Sequence, residues 1–357
     1  MSANVHCTAQ TEKNRPWLRF GAAFALIFLV FLIVLALTTP LLDPMRRRLS
    51  PAAELPVAEG TFAAAGKRLL CAGETALCVY SPDGTVAEFP TDFSVPRFRT
   101  AGGQLLVFDA GGKEFARFSD DDGAEPTLSA TDGTFFDAAV AENGAYALLF
   151  DQPDCRAVLE VYDSNRALRF RLQSKTAFLN SCALSPDAAL VAVTAAGQRG
   201  LEFEASLCLY RTDSEDAPIT WPLEGLPYAC GFLSDEVLYT VCNDGLYLYR
   251  TDGALLQSLP GARLLAQPDG ALLAVSDGTV QLFDADGSQR AAATLEQEPL
   301  SGALNGEYLA LQFDDFLRVY TRDFTLRGQT DTAEAFCLCR DGAVWCINGQ
   351  TAAQFIP

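Results

Sequence analysis

Tight-turn residues punctuate this chain at a nearly fixed interval, and that interval limits its fold more than any other property. They fall at Gly66, Gly102-Gly103, Asn143-Gly144, Pro186-Asp187, Ser234-Asp235, Asp269-Gly270, Asn305-Gly306 and Asp341-Gly342, spaced 34 to 48 residues apart. The stretch Val237 to Gly287 shows the pattern most plainly, because Asp244-Gly245 and Asp252-Gly253 return as Asp277-Gly278 and Asp286-Gly287. Glycine and Asx residues mark tight hairpin turns. After each turn comes a short apolar run such as RLLCAG, QLLVFDA, AYALLFD or VLYTVC, and in most units a second such as LEVYD, LYLYR or VQLFD. Runs of this length and content read as strands. From residue 51 onward no amphipathic helical segment of useful length interrupts them.

A unit of about 40 residues with four short strands cannot bury both faces alone, so copies must stack. Eight turns predict eight units and an all-β, eight-bladed β-propeller; seven blades is the alternative if the first or last unit is degenerate. The last unit reads AEAFCLC, AVWCIN and TAAQFIP and ends one strand short at Pro357. Ala53–Ala58 precedes the first complete unit and is placed to supply the missing strand. Such a closure joins the chain ends and removes a free edge. The longest spacing lies around Gly200–Asp216, where an acidic insertion is expected to lengthen a connection between the third and fourth strands of one blade.

The first 50 residues are of another kind. Phe20 to Leu37 is an 18-residue run with no charged or polar side chain. With Trp17, Leu18, Leu41 and Leu42 it is long enough to cross a hydrocarbon core as a helix, and no small-residue cleavage site follows it. The expected organisation is a disordered cytoplasmic tail at 1–16, a transmembrane helix at 17–42, a stalk at 43–52 and the propeller at 53–357. Lys and Arg number three on each side of the run, so charge gives no orientation. The short tail favours an inside N-terminus and an extracytoplasmic propeller at the cell membrane.

Charge follows the same division. Residues 1–50 carry a net +4, so the other 307 carry −23 of the formal −19. An acidic domain of that kind repels phosphate backbones, which excludes nucleic acid as a partner.

Chemistry is bounded by what the large domain lacks. The single histidine is His6, so the propeller region has no His for a nucleophile–base pair or for a zinc site. Cys71, Cys78, Cys208, Cys242 and Cys346 sit in strand-like runs, where a thiol behaves as a small hydrophobe. Cys337-x-Cys339 with Cys346 is a thin case for a metal. Carboxylate groups at Asp120–Asp122, Glu202 with Glu204, Asp213–Asp216 and Asp314-Asp315 match turn chemistry. A glycoside hydrolase or lyase would need two of them across a channel, and that is the alternative function. A quinone platform would have to come from Trp221 or Trp345. No catalytic, cofactor-binding or metal-binding residue is assigned, and no cofactor is implied.

Leu184-Ser185-Pro186-Asp187, Ser81-Pro82-Asp83-Gly84 and strand endings such as Val161-Tyr162-Asp163 resemble the turn-and-strand pattern of WD-repeat and quinoprotein-like propellers. The Gly-His and Trp-Asp dipeptides of true WD repeats are absent, so the likeness is to the broad superfamily over residues 51–357. Combined with the apolar run, the chain also resembles bacterial single-pass membrane proteins that carry a propeller domain of unknown function. That resemblance implies an envelope protein and transfers no catalytic residue. The expectation is a membrane-anchored binding module for a protein, peptide or envelope polymer, acting through its rim loops.

Overall fold

The predicted turns, apart from the one at Asp269, which lies outside the described residues, close hairpins in the computed structural model, which describes residues 48–119, 126–199, 202–266 and 270–357. Among the described residues eight four-stranded antiparallel sheets stand as blades around a channel, so the count is eight. Within a blade, strands A to D run outward. The A strands of neighbouring blades pack on one another, and Ala335–Leu338 of blade 8 meets Thr61–Ala65 of blade 1 to close the ring. A–B and C–D turns share one face, here the turn face. B–C and D–A connections share the other, the loop face.

Burial explains the composition of each strand. B strands such as Val237–Cys242 and Ala271–Ser276 are almost wholly buried, because neighbouring blades cover both sides. They therefore read as unbroken apolar runs rather than as alternation. D strands at the rim alternate, as in Leu168–Ser174, where one side faces water.

Five of the Asx-Gly turns share one geometry. In blade 3 the Ala141 N–H donates to Ala145 O, and the Gly144 N–H donates back to Ala141 O. The same pair of bonds recurs at Ser81/Thr85, Arg250/Ala254, Asp284/Ser288 and Cys339/Ala343. An Asx carboxyl or carboxamide inside each loop accepts the N–H two residues on: Asp83 from Thr85, Asn143 from Ala145, Asp252 from Ala254, Asp286 from Ser288, Asp341 from Ala343. The following residue takes the left-handed conformation, with φ of 80° at Gly144 and 87° at Gly342. Part of the domain's acid content is thus turn chemistry.

Closure uses the expected N-terminal segment, with the strand starting two residues before the Ala53–Ala58 read from sequence. Pro51–Pro56 pairs antiparallel with Thr351–Phe355 and becomes strand D of blade 8, beside Val344–Asn348 and Ala335–Leu338. Leu55 and Val57 join Leu69, Cys71, Trp345 and Ile347 in one buried cluster between blades 8 and 1. The stalk expected over 43–52 gives way to propeller structure at Leu49, whose N–H donates to Gln329 O at 2.8 Å on blade 7.

One connection differs from expectation. The long insertion of blade 4 is not between strands C and D but is a B–C hairpin, Leu190–Arg199 with Glu202–Arg211, paired in register along its length. Glu202 and Glu204 are strand residues of that hairpin, on the loop face. The tail and the span expected at 1–16 and 17–42 lie outside the described residues, as does Asp120–Asp122. Among the described residues no helix is long and apolar enough to cross a membrane.

Candidate binding face

Four A strands meet in a buried polar chain on the channel wall. Arg99 of blade 2 places Nη2 2.5 Å from Asp137 Oδ1 of blade 3. Asp137 Oδ2 accepts from Ser181 Oγ at 3.0 Å and from the Cys182 N–H at 3.1 Å, both of blade 4. Ser181 Oγ in turn accepts from the Cys230 N–H of blade 5 at 3.3 Å. Asp137 is 3 % exposed and Ser181 5 %, so each acceptor is offset by donors, as buried charge requires. The Ser181 hydroxyl spends its proton on a carboxylate, which fits a clamp between blades and not a nucleophile. Burial pushes the Cys230 thiol up to about 12, and it pushes Cys182 up as well, with the Asp137 charge adding to the effect.

The channel beside this chain holds a cavity of about 160 Å³ walled by Arg99, Cys182, Cys230, Tyr228 and Tyr239. A second, of about 300 Å³, opens among the A–B turns at Gly66, Gly102, Gln104, Asn305 and Arg340. Glu142 borders both, and among the described residues no other carboxylate lines either one. The facing carboxylates that sugar hydrolysis needs are not formed there.

The other acidic groups are dispersed over both faces. Asp213 forms a two-point pair with Arg211 in a C–D turn, at 3.1 and 3.0 Å. Asp314-Asp315 occupies a B–C turn of blade 7. Asp187 and Asp235 meet on the turn face through the Asp187 N–H and Asp235 Oδ1, which ties blade 4 to blade 5.

Neither tryptophan of the propeller offers a platform. Trp345 is fully buried, while Trp221 is 8 % exposed, packs on Tyr249 and donates Nε1–H to Gly253 O. All ten described cysteines are thiols, eight of them buried. Cys337, Cys339 and Cys346 are among the buried ones, and among the described residues no group of three His, Cys, Asp or Glu side chains is placed to hold a metal ion.

The loop face carries what the sequence did not reveal. Phe136, Phe178, Phe203 and Tyr228 are 38 %, 54 %, 59 % and 58 % exposed, and among the described residues they are the exposed large aromatics. All four lie on the loop-face side of three adjacent blades, 3 to 5. Two of them owe their position to β-bulges. The pairing skips from Phe135 to Asp137 and from Pro227 to Ala229, leaving Phe136 and Tyr228 as the extra residues. A bulge re-aims a side chain without ending the strand. The same skip at Leu179/Ser181 turns out Asn180, whose amide donates to Pro227 O of blade 5 at 2.6 Å. Phe178 opens the blade 4 A strand, with the Arg156 guanidinium 4.3 Å over its ring. Phe203 rides on the projecting B–C hairpin. The sequence signal available was an aromatic just after a D–A connection, one residue out of step with the strand's alternation.

No protein-family model and no curated protein sequence matches the chain. Among solved structures it is similar to the one titled "Crystal Structure Of The C-Terminal WD40 Domain Of Sif2", at a TM-score of 0.59 and 11 % identity, covering 87 % of this chain and 99 % of that one. The likeness is one of fold, a WD40-type β-propeller.

Proposed function

We propose that this chain is a membrane-anchored, non-catalytic interaction module that docks a protein partner on the loop face of blades 3 to 5. The observation that carries the reading is the gathering of Phe136, Phe178, Phe203 and Tyr228 on that face. Exposed aromatics grouped on one side of a soluble domain mark interaction surfaces, and rim loops on a rigid scaffold are where binding residues concentrate. Among the described residues Glu142 is the one carboxylate lining the two channel cavities, so neither cavity favours hydrolysis by a carboxylate pair. Residues 17–42 serve as the anchor and the propeller faces the extracytoplasmic side, on the strength of the apolar run and the short preceding tail.

Affinity purification of the full chain from detergent-solubilised membranes tests the docking, using wild type beside a Phe178→Ala/Phe203→Ala variant. A partner recovered with wild type and lost with the variant supports it; recovery unchanged by the variant refutes it. Labelling of a cysteine placed in residues 1–16, from outside intact cells, tests the orientation. Reaction before lysis overturns the inside tail.

A further inference from the structure

We infer that the loop face of blades 3 to 5 recognises a basic polypeptide segment with apolar anchors. This rests on the docking reading above and adds the partner's chemistry. On the same face, at the D–A and B–C connections of these blades, lie the exposed carboxylates Asp132, Asp151, Asp154, Glu202, Glu224 and Asp244. Among the described residues none of these six forms an ion pair.

The turn face is different in kind. There several exposed acids meet cations, Asp163 with Arg169, Asp213 with Arg211, Glu236 and Asp252 with Arg250, Asp284 and Glu307 with Arg290, and Asp83, Asp187, Asp286, Asp323 and Asp341 accept backbone N–H groups of their own turns. Many turn-face acids are thus answered within the domain, while on the loop face of these blades Asp151 and Asp244 accept the Thr134 N–H and the Tyr247 hydroxyl, and Asp132, Asp154, Glu202 and Glu224 form no hydrogen bond or ion pair among the described residues. Like charges gathered around apolar groups repel an acidic or phosphate-bearing partner and steer a cationic one toward the face.

The rings add to the same preference. A cation over an aromatic face is stabilised by the ring quadrupole, and the Arg156 guanidinium over Phe178 already uses one ring in this way. Phe136, Phe203 and Tyr228 remain to take aliphatic or aromatic anchors or further cations. Alternation of Lys or Arg with Leu or Phe in an extended or helical segment would satisfy rings and carboxylates together.

The test is fluorescence anisotropy with the purified full chain in nonionic detergent, empty micelles serving as background. Three labelled synthetic peptides of equal length are compared, one of Lys with Leu and Phe, one of Glu with Leu and Phe, one of Lys with Ser. The Lys–Leu–Phe peptide is expected to bind at least about tenfold tighter than the other two, and Phe178→Ala/Phe203→Ala to remove about tenfold or more of that affinity. Asp154→Lys/Glu202→Lys should weaken it while leaving the aromatics in place. Ile219→Ala/Leu255→Ala, exposed residues on the turn-face side, should leave it unchanged. Equal binding of the Lys–Ser peptide, or binding unaltered by the face variants, overturns the inference as bulk electrostatics. Equal binding of the Glu peptide, lost in the Phe variant, overturns the basic partner and keeps the docking face. Absence of binding by all three overturns the inference, while the docking reading is then judged by purification alone.

Discussion

Arg99 and Asp137 face each other across the boundary of blades 2 and 3, with the guanidinium Nη2 2.5 Å from the carboxylate Oδ1. The arginine side chain is 26 % exposed and the aspartate side chain 4 %, so the pair reaches from channel water into the wall. Because Asp137 also receives Ser181 and Cys182, its loss strands three donors at once. Breaking a buried pair by removing one partner costs about 3–5 kcal/mol, and the part-exposed arginine puts Asp137→Ala near the lower end. Urea denaturation of the variant should show a lower midpoint at unchanged slope. Replacing both members, Arg99→Met with Asp137→Leu, should recover part of the loss, since a buried pair exchanged for apolar groups is often close to neutral.

Closure of the ring gives a second measurable outcome. Leu55 of the N-terminal strand is 9 % exposed and packs in the cluster that holds the fully buried Trp345. Leu55→Ala should cost about 2–4 kcal/mol by cavity formation. In a Trp17→Phe/Trp221→Phe background the emission of Trp345 should shift to the red as the blade 8 strand frays. Gly328→Val should act on the same strap from outside, because a side chain there would lie 2.5 Å from the Leu49 side chain. An unshifted emission in both variants would show that the strap does not protect this seam.

Hairpin loops supply a stabilising change. Ala188, at φ 60°, occupies the left-handed position that Gly144 and Gly342 fill in blades 3 and 8. Its N–H donates to Ser185 O just as the Gly144 N–H does to Ala141 O. A non-glycine residue there costs about 1–2 kcal/mol, offset by about 0.4–1 kcal/mol of unfolded-chain entropy that glycine would add. Ala188→Gly should therefore raise stability by about 0.5–1 kcal/mol, and Gly144→Ala should lower it. A fall in the denaturation midpoint on Ala188→Gly would contradict the strain.

The same turns explain how far the sequence could be read. Turn positions are fixed by residue chemistry, since only Gly accepts the left-handed φ cheaply and only a short acceptor such as Asn143 reaches the N–H two residues on. Blade number and closure followed from those positions. The exposed aromatics did not, because a bulge at Phe136 or Tyr228 is one extra residue, and it reverses the side a residue faces without altering composition. The blade 4 hairpin lies on the face opposite to the one its sequence suggests, for a related reason. Where it projects beyond its neighbours, Gln198, Glu202 and Phe203 lack the burial that makes a strand look like one.

Acid should expose the contribution of the turn carboxylates, and Asp163 isolates it. Its Oδ1 accepts the Ala167 and Asn165 N–H groups at 2.9 Å each, and its Oδ2 pairs with Arg169 at 2.9 Å. The backbone bond from Ala167 first, and then Arg169, hold the carboxyl below its ordinary value of 3.8. A carboxyl with a depressed folded pKa adds stability above its unfolded value, and that stability is lost as pH falls through the folded value. The gap in melting temperature between wild type and Asp163→Asn should accordingly stay constant from neutral pH down toward 3.8 and close below it. Calorimetry or circular dichroism at a series of pH values reads the gap directly. A gap that persists unchanged well below 3.8 would mean that the carboxylate charge contributes nothing, and that the turn is held by its backbone bonds alone.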